Sequence, residues 1–529
     1  TRPTLKFFLK KPLSGLFSFA YTASIPEGEQ KTVQTGGKSH ILLTPEESRK
    51  ADAWAIDNGT NGLTLMEAAG KAVAEVICDY IGTPLETGGE IVILCGPGNN
   101  GGDGFVAGRY LEEWGYPVRI MLSVQAKELK GDAAIMARRW QGGISSLDAK
   151  RLAGASVIVD ALFGTGLKRE IEGVAADAIA AANQMDVFRV AIDVPSGLDA
   201  ESGLPLGPCF SADATITFFT KKPGHVMVPG RFLCGGNENI HVADIGISVK
   251  SFEAIGPHLF ENSPALWGSF YPFPGPETHK YHRGHMLVLG GKEPTLGACR
   301  LAAMAGLRVG AGLVTLAAPS ETYNIQATAL TDVMVRRFDS AFGFLGIMSD
   351  TRINTILLGP GAGVGEKTAE LVHDAVGRKK AAVLDADALS SLVGRLEMLT
   401  QEGNDNIVLT PHEGEFARLF PGLSKTTDKI SAARSAAVSS KCHVVLKGVS
   451  TVVAAPDGRV SVATNAPAWL SVAGTGDVLS GIIAGLIAQG MPTFEAASAG
   501  VWLHSEAAMK AGRGLIASDL LKALPSVLL

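Results

Sequence analysis

Ile91-Val-Ile-Leu-Cys-Gly-Pro-Gly-Asn-Asn-Gly-Gly-Asp-Gly104 sets an unbroken apolar run directly against a glycine-rich loop. A short apolar run bounded by glycine reads as a strand buried on both faces, which occurs where helices cover a parallel sheet. The loop then reads as the turn into a helix, whose free N-terminal amides and dipole favour a bound anion. A second loop of this kind, Gly474-Thr-Gly-Asp477, opens the apolar stretch Val478-Leu-Ser-Gly-Ile-Ile-Ala-Gly-Leu-Ile487. Loops so far apart in the chain predict separate active sites.

Outward from the first loop, apolar runs at 90–95, 118–124, 156–162, 188–194 and 214–220 alternate with helical patterns near 105–114, 131–140 and 175–183. Residues 42–81 read as helix, with Thr44-Pro-Glu-Glu47 as a capping-box start. Over 251–284 the prolines at 257, 264, 272, 274 and 276 predict a linker. Alternation resumes at 285–289, 313–317, 355–358, 381–384, 406–409 and 443–446. Runs at 451–455 and 459–462 flank Asp457-Gly458, a hairpin signal. The fold predicted is α/β: a parallel-sheet domain over 41–250, the linker over 251–284, and a second α/β domain with an antiparallel addition over 285–529.

The chain has 529 residues, 46% of them hydrophobic, enough for at least two cores of ordinary domain size. Its 47 basic and 52 acidic side chains leave a net charge of -5 without a long like-charged block, which argues against nucleic acid or an anionic membrane as partner. The six cysteines are scattered without a C-x-x-C pair, and no apolar stretch reaches the length of a membrane span, so a cytoplasmic protein is expected. Residues 1–40 carry Arg2, Lys6, Lys10, Lys11 and several phenylalanines before the first acid, Glu27; they read as a poorly ordered extension or a weak targeting segment. Homo-oligomerisation is expected only from the common behaviour of soluble enzymes.

Ligands of open α/β sheets bind beyond the carboxyl ends of the strands. Gly96–Gly104, Asp160 and Asp193 all fall there, with Gly164-Thr-Gly166 as a second amide-rich loop. Such a set could bind a hard cation through oxygen or hold a phosphate-bearing ligand. Gly96-x-Gly98-x-x-Gly101 also matches the dinucleotide fingerprint, but no acid follows near 122–124, which weakens a dehydrogenase reading. A glycine-rich turn that merely packs helix on sheet stays open as well.

Asn99-Asn-Gly-Gly-Asp-Gly104, Val159-Asp-Ala-Leu-Phe-Gly-Thr-Gly166, Ala191-Ile-Asp-Val-Pro-Ser-Gly197 and Lys222-Pro-Gly224, in this order, resemble the NAD(P)HX epimerase family over about 41–250. That resemblance implies a Rossmann-like domain in which Asn99, Asn100, Gly101, Gly102, Asp103, Gly164, Thr165, Gly166, Leu167, Lys168, Arg169, Glu170 and Asp193 contact the hydrated dinucleotide. It further implies that Asn100, Asp160 and Ser196 bind potassium. A carboxylate could move the proton as water leaves and returns at C6 of the ring, and Asp193 is the candidate. A structural cap on the Pro195 turn is the other reading of Asp193.

In Gly474-Thr-Gly-Asp477 the glycines admit a phosphate to backbone amides and the acid can take a proton from an attacking hydroxyl, an arrangement suited to phosphoryl transfer. The loop resembles that of ribokinase-like enzymes. His279-Lys-Tyr-His-Arg-Gly284, Gly290-Gly291, Gly297-Ala298, Leu358-Gly-Pro-Gly-Ala-Gly363, Thr410-Pro-His-Glu-Gly-Glu415 and Lys447-Gly-Val-Ser-Thr451 resemble the ADP- or ATP-dependent NAD(P)HX dehydratases over about 266–529. The resemblance implies that Ala298, Gly363, His412 and Asp477 contact the hydrated dinucleotide and that Lys447, Gly448, Val449, Ser450, Thr451 and Gly476 contact the nucleotide. Asp477 is the candidate base, and Mg²⁺ would neutralise the phosphates, with no motif fixing its ligands.

The combined expectation is a bifunctional repair enzyme acting on NADHX and NADPHX with ADP or ATP, ADP being favoured by resemblance to bacterial fusions. A small-molecule kinase fused to a dinucleotide-binding domain is the alternative. His279, His282 and His285 offer imidazoles without a carboxylate or thiol among them, a poor zinc set. Single histidines at 443 and 504 read as core or surface residues. Lys221-Lys222 reads as a solvated basic pair, or as a contact for a substrate phosphate in the first site.

Overall fold

The computed structural model describes residues 40–84, 86, 88–399, 406–424 and 428–529. The basic, Phe-bearing segment over 1–39 lies outside the described residues. Strand β1 (Ile41–Leu42) leads into helices Pro45–Asp57 and Gly62–Ile81, where the apolar pattern predicts a single helix. The Thr44 capping box forms: its hydroxyl accepts from Glu47 N–H at 3.2 Å, and the Glu47 carboxylate accepts from Thr44 N–H at 2.8 Å. The break comes at Gly59, whose φ of 97° cannot continue a helix, and Asn61 then caps the second helix through Leu63 N–H.

Strands β2 (Glu90–Cys95), β3 (Val118–Leu122), β4 (Ile144–Ser146), β5 (Ala155–Ala161), β6 (Phe188–Ile192), β7 (Ala214–Phe218) and β8 (Ile240–Ala243) form a seven-stranded parallel sheet ordered β4-β3-β2-β5-β6-β7-β8. The edge strands β4 and β8 are missing from the sequence reading, because an edge strand leaves half its side chains exposed and carries no apolar run. Alternation along β2 sends Ile91, Ile93 and Cys95 into one core with Phe105 and Val106, and Val92 and Leu94 into another with Ala178 and Ile179. Both faces are therefore covered. Strand order reverses between β2 and β5, opening a crevice at their carboxyl ends.

The loop after β2 is as much a packing device as a cradle. A Cβ on Gly96 would lie 1.8 Å from the Leu162 carbonyl oxygen, and one on Gly101 would lie 2.0 Å from that of Gly96. These glycines let helix Asn99–Glu113 start hard against the sheet.

A second sheet has eleven strands: β9 (Leu259–Glu261), β10 (His285–Leu289), β11 (Leu313–Pro319), β12 (Met334–Phe338), β13 (Thr355–Leu358), β14 (Ala381–Leu384), β15 (Ile407–Leu409), β16 (His443–Leu446), β17 (Val452–Ala454), β18 (Val460–Val462) and β1. Its order is β1-β9-β18-β17-β16-β15-β14-β13-β10-β11-β12, parallel from β16 to β12, with the predicted β17–β18 hairpin antiparallel. The stretch over 251–284 is more than a linker. Between Pro257 and Pro264, β9 pairs in parallel with β18, and β1 pairs antiparallel with β9.

Side chains reinforce that seam. Lys221 Nζ meets Glu261 at 2.9 Å, Thr464 donates to Glu261 at 2.9 Å, and Val228 N–H donates to Ser450 Oγ at 2.9 Å. On one face of the sheet, helix Thr475–Ala488 lies against helix Leu296–Arg308 through small residues. A Cβ on Gly481 would sit 2.2 Å from the Ala302 carbonyl oxygen. Gly481→Ala is expected to force these helices apart and to cost about 1–3 kcal/mol, read as a lower midpoint in thermal or urea unfolding.

Candidate active sites

The crevice of the smaller sheet holds a cavity of about 710 Å³ lined by Asn99, Asn100, Asp103, the segment 162–169, Asp193 and Lys222. Asp193 follows β6 with φ of 63°, a left-handed backbone rare for a residue with a Cβ and tolerated best by Asp, Asn and Gly. Its Oδ1 accepts from Lys222 Nζ at 2.8 Å and from Thr217 Oγ1 at 3.1 Å, and its Oδ2 from Thr165 N–H at 3.3 Å. His225 Nδ1 accepts from Lys222 N–H at 2.9 Å, so its Nε2–H donates to the Asp193 carbonyl at 2.8 Å. The turn that carries Asp193 is thus fixed at its carboxylate and at its backbone.

Burial alone would raise the Asp193 carboxyl, but the Lys222 ammonium holds it below the ordinary range. His225 is neutral, pushed down to about 3 by burial and by Lys222. Asp103 is the opposite case: burial, then the charges of Asp193 and Asp52, push its carboxyl well above the ordinary range. Asp52 stands exposed at the wall of the same cavity, on helix Pro45–Asp57. Two carboxyls pushed in opposite directions therefore line one cavity, the pattern that sets a base beside an acid.

Asp160, at the end of β5, is wholly buried; its carboxylate accepts from Ser196 N–H and Oγ, both at 2.7 Å, and from Leu162 N–H at 3.1 Å. Burial still pushes it up to about 6. Ser196 Oγ in turn accepts from Phe163 N–H at 2.9 Å. Nearby, the Asn100 carboxamide is buried with neither Oδ1 nor Nδ2 partnered, and a Cβ on Gly164 would lie 3.4 Å from that Oδ1. An orphaned amide oxygen and a buried carboxylate suit a hard monovalent cation that binds through oxygen. Of the other predicted contacts, Gly101 and Gly102 lie buried in the first helical turn, while Gly166, Lys168, Arg169 and Glu170 border the solvent. Lys168 pairs with Glu201 at 3.7 Å.

The second constellation sits at the carboxyl ends of β13 to β16. Asp477 occupies the first turn of helix Thr475–Ala488, after Gly474 at φ 87°. Burial first, then Asp385 and Asp387 against Lys447, push its carboxyl up to about 7. Lys447 Nζ meets Asp385 Oδ1 at 2.9 Å and would lie 3.4 Å from a Cβ on Gly476. His412 caps helix Glu413–Leu419 by accepting from Gly414 N–H at 3.0 Å and Glu415 N–H at 3.3 Å, and it bridges Lys447 through the backbone. Gly363 N–H donates to Asp387 Oδ2 at 2.8 Å.

The remaining predicted contacts stand differently. Ala298 is half-buried in the first turn of helix Leu296–Arg308, Gly448 and Val449 are exposed, and the Thr451 hydroxyl donates to Gly448. Ser450 is buried, with its hydroxyl on Val228 of the seam. His504 is core, as expected: it meets the Thr475 backbone, and burial pushes it down to about 4. His285 bonds to Thr315 at 2.8 Å while the rings of His279 and His282 stack on each other. Among the described residues no three metal-ligating side chains of the His, Cys, Asp or Glu type converge, and no helix is long and apolar enough to cross a membrane.

Sequence reasoning missed the placement of four residues here. Lys221-Lys222 does not read out as solvated: Lys221 pairs with Glu261 and Lys222 is 3% exposed against Asp193. A sequence pair gives no sign of burial when its partner lies elsewhere in the chain. Asp385 and Asp387 were findable, since Leu384-Asp-Ala-Asp387 is an acid pair at a strand end, the feature that marks Asp160 and Asp193.

A family model described as YjeF-related protein N-terminus matches residues 62–224, and one described as NAD(P)H-hydrate dehydratase matches 286–526. A protein of Moorella thermoacetica named bifunctional NAD(P)H-hydrate repair enzyme Nnr is 36% identical over 496 residues, covering 88% of this chain and 92% of the relative. Proteins of the same name from Salinibacter ruber and Escherichia coli are 35% and 32% identical, covering 92% of this chain in each case and 96% and 94% of the relatives. Among solved structures, the ADP/ATP-dependent NAD(P)H-hydrate dehydratase of Bacillus subtilis co-crystallized with ATP/Mg²⁺ is 26% identical, with a TM-score of 0.45, over 50% of this chain and 96% of that one.

Proposed function

From the fact that this chain belongs to the bifunctional NAD(P)H-hydrate repair enzymes, we propose how its residues divide the work. Residues 41–250 equilibrate the R and S forms of hydrated NADH and NADPH; residues 285–529, with family resemblance from about 266, dehydrate the S form with ADP or ATP. The observation that carries this reading is the contrast between the sites. One offers two carboxyls pushed in opposite directions in a cavity, and the other an acid at the start of a glycine-opened helix beside a lysine.

In the first site the C6 hydroxyl leaves as water after taking a proton, with the ring nitrogen lone pair forming the iminium bond. Water then adds to the other face and gives up its proton. Asp103, whose carboxyl burial pushes upward, is the donor to the leaving hydroxyl, and Asp193, held low by Lys222, takes the proton of the incoming water. Asn99, Gly101, Gly102 and the 164–170 loop hold the dinucleotide. Asn100, Asp160 and Ser196 would hold potassium, a reading supported by the orphaned carboxamide; the ion would supply positive charge near the cavity.

In the second site Asp477 takes the proton of the C6 hydroxyl, whose oxygen attacks the terminal phosphorus of the nucleotide and releases AMP from ADP, or ADP from ATP. Phosphate then departs from C6 and a proton from C5, leaving the reduced ring. Lys447 and the amide of Gly476 receive phosphate oxygens, Gly448–Thr451 border the nucleotide, and Ala298, Gly363 and His412 border the dinucleotide. Mg²⁺ would neutralise the nucleotide phosphates, since among the described residues no cage of three His, Cys, Asp or Glu side chains forms to hold it. Cytoplasm is the proposed compartment, consistent with six unpaired cysteines.

The test supplies mixed NADHX epimers with no nucleotide, with ADP or with ATP, in potassium or sodium buffers. Expected are epimer exchange without nucleotide, faster in potassium, and a nucleotide-dependent rise of NADH absorbance with stoichiometric phosphate. A stable phosphoester product would establish a kinase instead.

A further inference from the structure

Asp385 is only 2% exposed, and its carboxylate meets a charge from another strand, Lys447 Nζ at 2.9 Å from Oδ1. Asp385 ends β14 and Lys447 ends β16, so the pair reaches over the end of β15, where His412 sits. The backbone around Asp385 is built to hold it. Ala386 takes φ of 46°, a conformation costing an L residue about 1 kcal/mol. Gly359 packs so close that a Cβ there would lie 1.8 Å from the Asp385 carbonyl oxygen. Two residues on, Asp387 accepts from Gly363 N–H at 2.8 Å, tying down the loop after β13.

We propose that Asp385 is a positioning residue for the dehydration reaction, holding the Lys447 ammonium at the Gly476–Asp477 turn where the terminal phosphate and the C6 hydroxyl must meet. Asp387 does the corresponding service for the loop of Gly363. This rests on Asp477 being the base. Burial would depress the Lys447 ammonium, but Asp385 beside it keeps it above the ordinary lysine range, fully charged. The groups that face Asp477 are Asp385, Asp387 and Lys447, with His504 buried and neutral behind Thr475.

The sign of the consequence follows from charge. Asp385 raises the Asp477 carboxyl directly and offsets the Lys447 charge that lowers it, so neutralising Asp385 moves Asp477 downward on both counts. A base works ionised, so the wild-type dehydration rate is expected to rise with pH through about 7. Asp385→Asn is expected to shift that rising limb by about one unit toward acid and to raise the nucleotide KM about tenfold, with kcat above the limb reduced as well.

The experiment measures dehydration of S-NADHX against pH at saturating and limiting ADP and ATP, in wild type, Asp385→Asn and Asp385→Ser, with epimerase activity and melting temperature recorded for each. Wild type without a limb near neutrality sinks the Asp477 reading itself. A wild-type limb that stays in place in either folded variant, with unchanged nucleotide KM, overturns the role of Asp385. A shifted limb with a higher KM supports it. Lowered kcat alone, with limb and KM unmoved, marks Asp385 as merely structural and also overturns the inference.

Discussion

Asp477→Asn is expected to end the nucleotide-dependent return of NADH while the R and S epimers still interconvert in the same chain. Loss of a positioned general base costs about 10²–10⁴ in rate, and the amide cannot take the proton of the C6 hydroxyl at any pH. The rising limb through about 7 should vanish with it. Stability moves the other way. A carboxyl raised from 3.8 to about 7 keeps its proton in the folded chain where the unfolded chain has lost it, so stability falls as pH rises across that window. Each pKa unit is worth about 1.4 kcal/mol, so the asparagine variant is expected to melt above wild type at pH 8 and to lose that advantage in acid. An enzyme that melts higher and no longer dehydrates separates chemistry from folding; normal turnover of the variant would remove Asp477 from the mechanism.

Asp193→Asn is expected to abolish epimerisation, again by about 10²–10⁴, while dehydration of pure S-NADHX continues. Given mixed epimers and nucleotide, the variant should restore NADH only up to the S fraction initially present and then stop at the rate of spontaneous exchange. Asparagine suits the left-handed backbone at φ 63° and keeps an oxygen for Thr217, so the turn should survive. The Lys222 ammonium, 4% exposed as a side chain, loses its counter-charge and should cost about 3 kcal/mol. Adding Lys222→Met to Asp193→Asn is expected to recover melting temperature without recovering turnover. Recovery of epimerisation in the double variant would show that Asp193 only neutralises the lysine.

Central strands were legible because burial on both faces writes a continuous apolar run, as in Ile91–Cys95. The edge strand β12 was not, since Met334-Val-Arg-Arg-Phe338 leaves most side chains exposed, and neither was the inner strand β9, which hides between prolines. Asp160, Asp193 and Asp477 could be found from sequence because strand ends and helix starts are places where a fold delivers side chains to a common edge. Lys222 could not, since its ion pair with Asp193 depends on β6 and β7 lying side by side. The upward push on the Asp103 carboxyl was equally illegible, being set by burial in the crevice and by charges on other elements. The glycines of the first loop carried two messages at once, and their packing role against Leu162 is visible only in three dimensions.

The strands β1 and β9 give the fusion a colloidal consequence. Strand β18 is buried along its length, and its outer hydrogen-bonding edge is satisfied by β9, which is in turn covered by the two-residue β1 from the other lobe. Severing the chain near residue 266 would strip that cover and leave Val460–Val462 as a bare apolar edge, the kind of template that recruits strands from other molecules. A strand as short as β1 offers newcomers almost nothing to pair with. The chain ahead of residue 266 thereby closes one edge of the larger sheet, and β12 ends it at the other.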